Sequence, residues 1–209
     1  ALDRKRPRLA AVTNVREAPP TRPLLSRGAL VRDFLSGDEL AVSFAEQRRV
    51  DGNDYGPFNL LLWDGDALIV ATNRLKPRWE TVQSGVQGLS NGSFDQPWPK
   101  TQRLVGALAG WLDSAAGRAS APDANVDLEA LYAALADEHR PADAELPDTG
   151  IGLERERILS TAFLKLPGYG TRASQIVMIG RDGRTLFAER RFGENGSLVG
   201  EQRQVFSRP

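Results

Sequence analysis

Residues Gly85 to Lys100 read GVQGLSNGSFDQPWPK, and the reading of this stretch decides the fold. Gly85 to Leu89 has the make-up of a short apolar strand. Asn91-Gly92 then signals a tight turn, since both residues tolerate positive φ. Pro97 and Pro99 bracket Trp98 and hold φ at about −65°. A long helical pattern starts just beyond Lys100. The stretch therefore closes one group of strands and opens a group of helices.

Upstream, Arg8 to Asn14 (RLAAVTN) reads as a buried strand. Val15 to Leu25 carries three prolines and is expected as an extended loop. Ser26 fits an N-cap, with a helix over Ala29 to Leu35 that places Leu30, Val31, Phe34 and Leu35 at helical spacing. Gly37 ends it. Asp38 is a candidate cap for a second helix reaching about Arg48, with Leu40, Phe44 and Ala41 toward the core. Phe58 to Trp63 and Ala67 to Thr72 form a hairpin about Asp64-Gly65-Asp66. Trp79 to Gln83 and Gly85 to Leu89 read as a second hairpin.

Downstream, Gln102 to Ala116 aligns Leu104, Leu108, Trp111 and Leu112 on one helical face. Leu128 to Glu138 is a second amphipathic helix, with Leu128, Leu131, Tyr132 and Leu135 aligned. An acidic, proline-containing loop spans Pro141 to Gly152, and Glu154 to Ser160 reads as a short turn or helix. Ile176 to Gly180 and Thr185 to Arg191 form a hairpin about Arg181-Asp182-Gly183, and weaker strand signals follow Gly193. Strands, then helices, then strands again make an α+β pattern with antiparallel sheets.

The chain has 209 residues, 41% of them hydrophobic, which suits a single domain with a sizeable core. Lys plus Arg and Asp plus Glu number 27 each, so the net charge gives no support for nucleic-acid or anionic-membrane binding. A local basic cluster, Arg4-Lys5-Arg6 with Arg8, reads as a solvated hairpin tip. There is no cysteine, so neither a thiolate metal site nor a cysteine nucleophile is available in these residues. The sole histidine, His139, precludes a histidine-rich metal cluster, and no metal site is expected. No apolar run reaches ~18 residues, so no membrane-inserted helix is expected, and the expectation is a cytoplasmic protein.

Several motifs carry a resemblance. They are Ala11-Val12-Thr13-Asn14-Val15-Arg16, Ser26-Arg27-Gly28, Phe58-Asn59-Leu60-Leu61, Gly88 to Lys100, Tyr169-Gly170-Thr171-Arg172-Ala173-Ser174 and Glu189-Arg190. In this order they resemble the NRDE family, which includes the transport and Golgi organisation proteins. The Asn-Arg-Asp-Glu motif that names the family and its Met-Cys start are both missing. On that resemblance, residues 1–209 read as one family domain lacking its N-terminal segment. The resemblance implies a four-layer αββα sandwich of the N-terminal-nucleophile hydrolase type.

The resemblance also suggests site residues. In the related penicillin V acylase and bile-salt hydrolase group, an Asn in a similar turn serves the oxyanion hole, and Asn91 resembles it; the alternative is that Asn91 only shapes the turn. Asn14 is either a second amide donor or a tether for the proline loop. An Arg near the position of Arg172 lies close to the nucleophile in those acylases. A buried Arg172 would need a partner: a ligand carboxylate or haem propionate on one reading, Glu189 on the other. Asn59 is a ligand contact or a buried amide satisfied within the fold. Trp98 and Tyr169 are packing anchors or aromatic platforms for a flat ligand. Asp95 is explained by helix capping. His139 fits a helix C-terminus or plain exposure better than haem ligation.

Three functions are consistent with this reading. The first is a non-catalytic carrier or trafficking factor for a small-molecule or lipid-like ligand. Here the family implies haem or an acyl lipid, and relatives are linked to secretory-pathway and Golgi organisation. The second is an amide hydrolase using a cysteine upstream of this chain, since the methyl of Ala1 cannot attack a carbonyl. The third is a scaffold without a ligand.

Overall fold

Phe58, Leu60 and Leu62 alternate along strand β2 (Phe58–Trp63) and turn toward one face, and this face organises the first half of the chain. The computed structural model describes every residue except 19–22, 52–53, 75–76, 95 and 208–209, and the side chains except also those of 49–51 and 119. The chain divides into two compact units. Unit 1 is Ala1–Gln96 with Asp148–Gly152, and unit 2 is Pro97–Pro147 with Leu153–Pro209. Both consist of helices with antiparallel sheet, so the α+β class holds.

In unit 1 the sheet order follows the sequence: β1 (Leu9–Asn14), β2, β3 (Leu68–Thr72) and β4 (Arg78–Thr81). The register sets Val12 opposite Leu60 and Ala71 opposite Leu60, and Ala10 opposite Leu62 and Ile69 opposite Leu62, so apolar residues share a face. Against this face pack α1 (Arg27–Ser36) through Leu30 and Phe34, and α2 (Ala41–Asp51) through Ala41, Phe44 and Ala45. Ser26 caps α1, its hydroxyl accepting the Gly28 N–H at 3.3 Å.

The proposed second cap is corrected. Asp38 instead pairs with Arg6 at 2.6 Å, and the N–H of Ala41 at the start of α2 is taken by Asp64, 2.8 Å away in the β2–β3 turn. Leu40, one residue before the helix, is exposed. Asp64 also accepts the N–H groups of Asp66 and Ala67. Burial opposes its ionisation, but these three N–H bonds outweigh it and hold its carboxyl below the ordinary 3.8. A depressed folded-state value contributes stability above the unfolded pKa, lost as pH falls through the folded one. Asp64→Ala is therefore expected to cost about 1–2 kcal/mol near neutrality. In urea titrations the gap from the parent chain should narrow on acidification below about pH 4; a gap independent of pH would contradict this account.

The expected Gly85 to Leu89 strand is absent. Its neighbour β4 is a largely exposed edge that, among the described residues, pairs only with β3, so no apolar face awaits a further strand. Gly85 also has φ +123°, which breaks the extended path. Asn91 and Gly92 do not adopt positive φ either; among described residues other than glycine, only Asn195 does.

Unit 2 carries the second sheet, β7 (Ala173–Ile179), β8 (Arg184–Phe192) and β9 (Leu198–Ser207), in that order. Leu186 and Ala188 pack on Trp111 of α3 (Pro99–Asp113) and on Leu131 and Tyr132 of α5 (Glu129–Leu135), with α4 (Ala115–Ala119) between those helices in sequence. α3 begins at Pro99, earlier than Gln102, because proline suits the first helical position. Leu108 and Leu112 are exposed, so the expected apolar face narrows to Trp111 and partly buried neighbours. The helix expected to reach Glu138 stops at Leu135, where Asp137 turns away to bond Arg103 at 2.6 Å. α6 (Leu153–Ile158) follows the acidic loop. Among the described residues no helix is long and apolar enough to cross a membrane.

Candidate functional site

The predicted site residues fall into two groups, one in each unit. In unit 1, the end of β1 and the start of β2 gather three amides. The Asn59 NH2 donates to the Gly92 carbonyl at 2.6 Å and to that of Ser90 at 3.4 Å. Thr13 Oγ1 donates to the Ser90 carbonyl at 2.8 Å, and the Arg16 N–H to that of Asn91 at 2.7 Å. Asn91 turns its own NH2 onto Asn14, reaching the carbonyl at 2.9 Å and Oδ1 at 3.1 Å. Asn14 and Asn91 thus meet. Asn59 is 1% exposed and its donors serve the fold. Ser90 to Gly92 is held here by the Asn59 and Thr13 side chains and the Arg16 N–H, which satisfy its carbonyls in place of a neighbouring strand.

In unit 2, Tyr169 and Arg172 line a cavity of about 330 Å³. One wall is the hairpin of β5 (Lys165–Leu166) and β6 (Tyr169–Gly170), turning at Pro167-Gly168. The other wall is the turn Gly193 to Gly196, between β8 and β9. The base is rigid. Phe163 donates its N–H to the Asp137 carbonyl at 2.9 Å and meets Phe192 edge to face, with ring centres 4.8 Å apart. The Arg103 guanidinium holds the Asp137 carboxyl below the usual range, and the His139 N–H adds to it. Thr171 clasps Leu164, donating its N–H to the carbonyl and accepting the Leu164 N–H on its hydroxyl, both at 3.0 Å.

The turn opposite is equally fixed. Gly193 and Ser197 exchange one backbone bond at 2.8 Å, and Asn195 sits at φ +57°. At Gly196 (φ +73°) a Cβ would lie 2.9 Å from the Phe163 ring, so only glycine lets the two walls approach.

The expected burial of Arg172 and its pairing with Glu189 are both corrected. Arg172 is exposed, and its carbonyl accepts the Phe192 N–H at 2.9 Å. Glu189 lies opposite Gln175 in the ladder, not Arg172, and binds Gln175 and Gln202. Among the described residues the Arg172 guanidinium has no acidic partner, whereas Lys165 is neutralised by Glu138. Tyr169 is 64% exposed and presents its ring at the cavity. Trp98, by contrast, is buried before α3 and acts as a packing anchor, with the Lys100 ammonium 5.9 Å from its ring. Asp95 and the proline run at 19–22 lie outside the described residues. His139 is exposed, beyond the end of α5, and does not line the cavity.

Sequence reasoning missed Lys165, Thr171 and the Glu194-Asn195-Gly196 wall. The signals were the Pro167-Gly168 and Asn195-Gly196 pairs, each a turn marker. The fold and site together define an α+β protein with an aromatic-rimmed pocket that carries Lys165, Arg172 and Glu194 and has no cysteine, histidine or methionine in its lining.

The family model described as Transport and Golgi organisation 2 matches residues 3–194. The Transport and Golgi organization protein 2 homolog of Homo sapiens is 30% identical over 197 residues, spanning 88% of this chain and 68% of that protein. Its Bos taurus counterpart is 31% identical over 198 residues, with the same shares. That of Mus musculus is 27% identical over 200 residues. The chain belongs to the Transport and Golgi organisation 2 family.

Proposed function

We propose that this protein is a cytoplasmic, non-catalytic carrier or trafficking factor whose unit 2 pocket takes the anionic head of haem or of an acyl lipid. The carrying observation is the Arg172 guanidinium, exposed, without an acidic partner among the described residues, and on the wall of a cavity that Tyr169 rims. A planar guanidinium binds a carboxylate or phosphate through two parallel bonds. A cavity of about 330 Å³ lies at the small end of ligand pockets, so it suits a head group or a ring edge. For haem the lining offers one propionate site at Arg172 and one oxygen donor to iron, the Tyr169 phenol. Family membership supports a role in transport and Golgi organisation. The α+β make-up of each unit is compatible with the N-terminal-nucleophile type of αββα sandwich that we propose for the family fold.

The test is calorimetric titration with haemin and with palmitoyl-CoA. Saturable binding at micromolar concentration is expected for at least one, and Arg172→Ala should weaken it by about 10- to 100-fold. No saturable heat with either ligand would sink the proposal. The alternative, an amide hydrolase, draws on the meeting of Asn14 and Asn91. Its test is amine release from an N-acyl amide by a form of the protein starting with cysteine; an inert form would dismiss it.

A further inference from the structure

The charges around the unit 2 pocket are not all of one sign. Arg172 lines it from the end of the β5–β6 hairpin, and Glu194 lines it from the turn opposite. The Arg172 carbonyl accepts the Phe192 N–H at 2.9 Å, and Glu194 follows Phe192 by two residues, so the backbone holds the two charged residues close together. The Glu194 carbonyl accepts the Ser197 N–H at 3.3 Å and the Ser197 hydroxyl at 3.0 Å, which fixes its place in the turn. Among the described residues Arg172 and Glu194 form no ion pair with each other. Lys165 also lines the pocket but does not answer Glu194. Its stem lies against Gly196, where a Cβ would meet the lysine Cε at 2.5 Å. Its ammonium is paired with Glu138, which lines a small neighbouring cavity and not this one. Tyr169 adds an aromatic ring to the rim.

We propose that this pocket takes a zwitterionic head group of the phosphocholine type, a phosphate with a quaternary ammonium beside it. The proposal rests on the reading of Arg172 as the anion site and names the head group that fits around it. The phosphate takes two parallel bonds from the guanidinium. The ammonium has no N–H to donate, so it is recognised by charge and by the face of an aromatic ring; Glu194 supplies the first and Tyr169 the second. A purely anionic head would satisfy Arg172 but bring its remaining charge toward the Glu194 carboxylate, a repulsion that a partly enclosed site screens less than open water does. A zwitterion turns the same carboxylate into an attraction. A cavity of about 330 Å³ suits such a head group alone, with the rest of a lipid outside it.

Calorimetric titration of the whole chain with dihexanoyl-phosphatidylcholine and with dihexanoyl-phosphatidic acid, both below their micelle concentrations, tests this, because the two lipids differ only in the choline. The choline lipid should bind about tenfold more tightly. Glu194→Gln keeps the shape of the side chain and removes its charge, and should bring the two dissociation constants to within about twofold. Tyr169→Leu should also narrow the gap, and Arg172→Ala should weaken both lipids. Free phosphocholine, titrated in parallel, identifies the source: affinity equal to that of the choline lipid points to the soluble zwitterion, and weaker binding points to the lipid. Phosphatidic acid binding as tightly as the choline lipid, or a preference untouched by Glu194→Gln, would overturn the proposal. If Arg172→Ala still weakens both lipids in that case, the anion site stands without it. Should neither lipid bind, the proposal also falls, and the haemin and palmitoyl-CoA titrations judge the anion site separately.

Discussion

Arg8→Met should lower the unfolding free energy by about 2–4 kcal/mol, the largest loss expected from any single change in the amino-terminal basic cluster. Arg8 reads in sequence as part of a solvated tip, yet it is 6% exposed. Its guanidinium caps the carboxyl end of α1. Nε and Nη2 donate to the Phe34 carbonyl at 3.1 and 2.8 Å, and Nη2 also donates to the Glu39 carbonyl at 2.7 Å. The last carbonyls of a helix have no partner within it, and here a cation supplies one where the helix dipole favours positive charge. The guanidinium also lies 3.9 Å from the centre of the Phe34 ring, a stacked contact in a desolvated place. Arg6 extends the cap, donating to the carbonyls of Leu35 and Gly37 while Asp3 holds its Nε at 2.7 Å.

Methionine keeps most of the apolar stem of Arg8 but leaves the buried Phe34 carbonyl without these donors, at about 1–3 kcal/mol, and also removes the bond to the carbonyl of the exposed Glu39. Urea denaturation followed by far-ultraviolet circular dichroism measures the loss. Lys5→Met is the control, since Lys5 is exposed at the tip and should change stability by less than about 0.5 kcal/mol. Equal effects of the two substitutions would mean that Arg8 does not cap the helix.

Arg8 also shows what the sequence hides. Periodicity located β1, α1, β2, β3 and the β7–β8 hairpin, because each alternates or repeats its apolar residues against one face. It failed where a side chain from a distant segment decides the structure. Asp38 is the nearer candidate cap for α2, but Asp64 takes the role because the β2–β3 turn brings it to Ala41. Gly85 to Leu89 has strand composition, but the edge beside it, β4, is largely exposed and Gly85 breaks the extended path. The same division holds for the candidate site. The turn motif and Tyr169-Gly170-Thr171-Arg172 were visible as motifs. That Asn59 spends its donors on Gly92, and that Arg172 lines a cavity without an acidic partner among the described residues, depends on contacts 33 residues apart in one case and on a strand register in the other. Composition carries neither.

Asn59 separates a structural role from a binding role most sharply. Asn59→Leu retains the approximate volume, but a leucine cannot donate to the Gly92 carbonyl, which lies in a buried residue. Ser90 keeps the Thr13 hydroxyl at 2.8 Å, so a single acceptor is orphaned. The expected cost is about 1–3 kcal/mol. The loss should also be local. The Arg16 N–H bonds the Asn91 carbonyl at 2.7 Å only while the segment is held down, so its hydrogen exchange should speed by about tenfold or more. Ligand affinity at the unit 2 pocket, measured on the folded fraction, should stay at the parent value, because Asn59 belongs to unit 1 and its NH2 already serves the fold. The opposite pattern, parent-like stability and Arg16 exchange with lost ligand affinity, would make Asn59 a binding residue and move the site to the amide cluster. Arg172→Ala is the complementary case. It orphans no acceptor that the guanidinium serves within the fold, so it should leave stability within about 0.5 kcal/mol of the parent chain while weakening the ligand. Two substitutions with opposite effects on stability and binding thus tell a scaffold of amides from a pocket built to hold an anion.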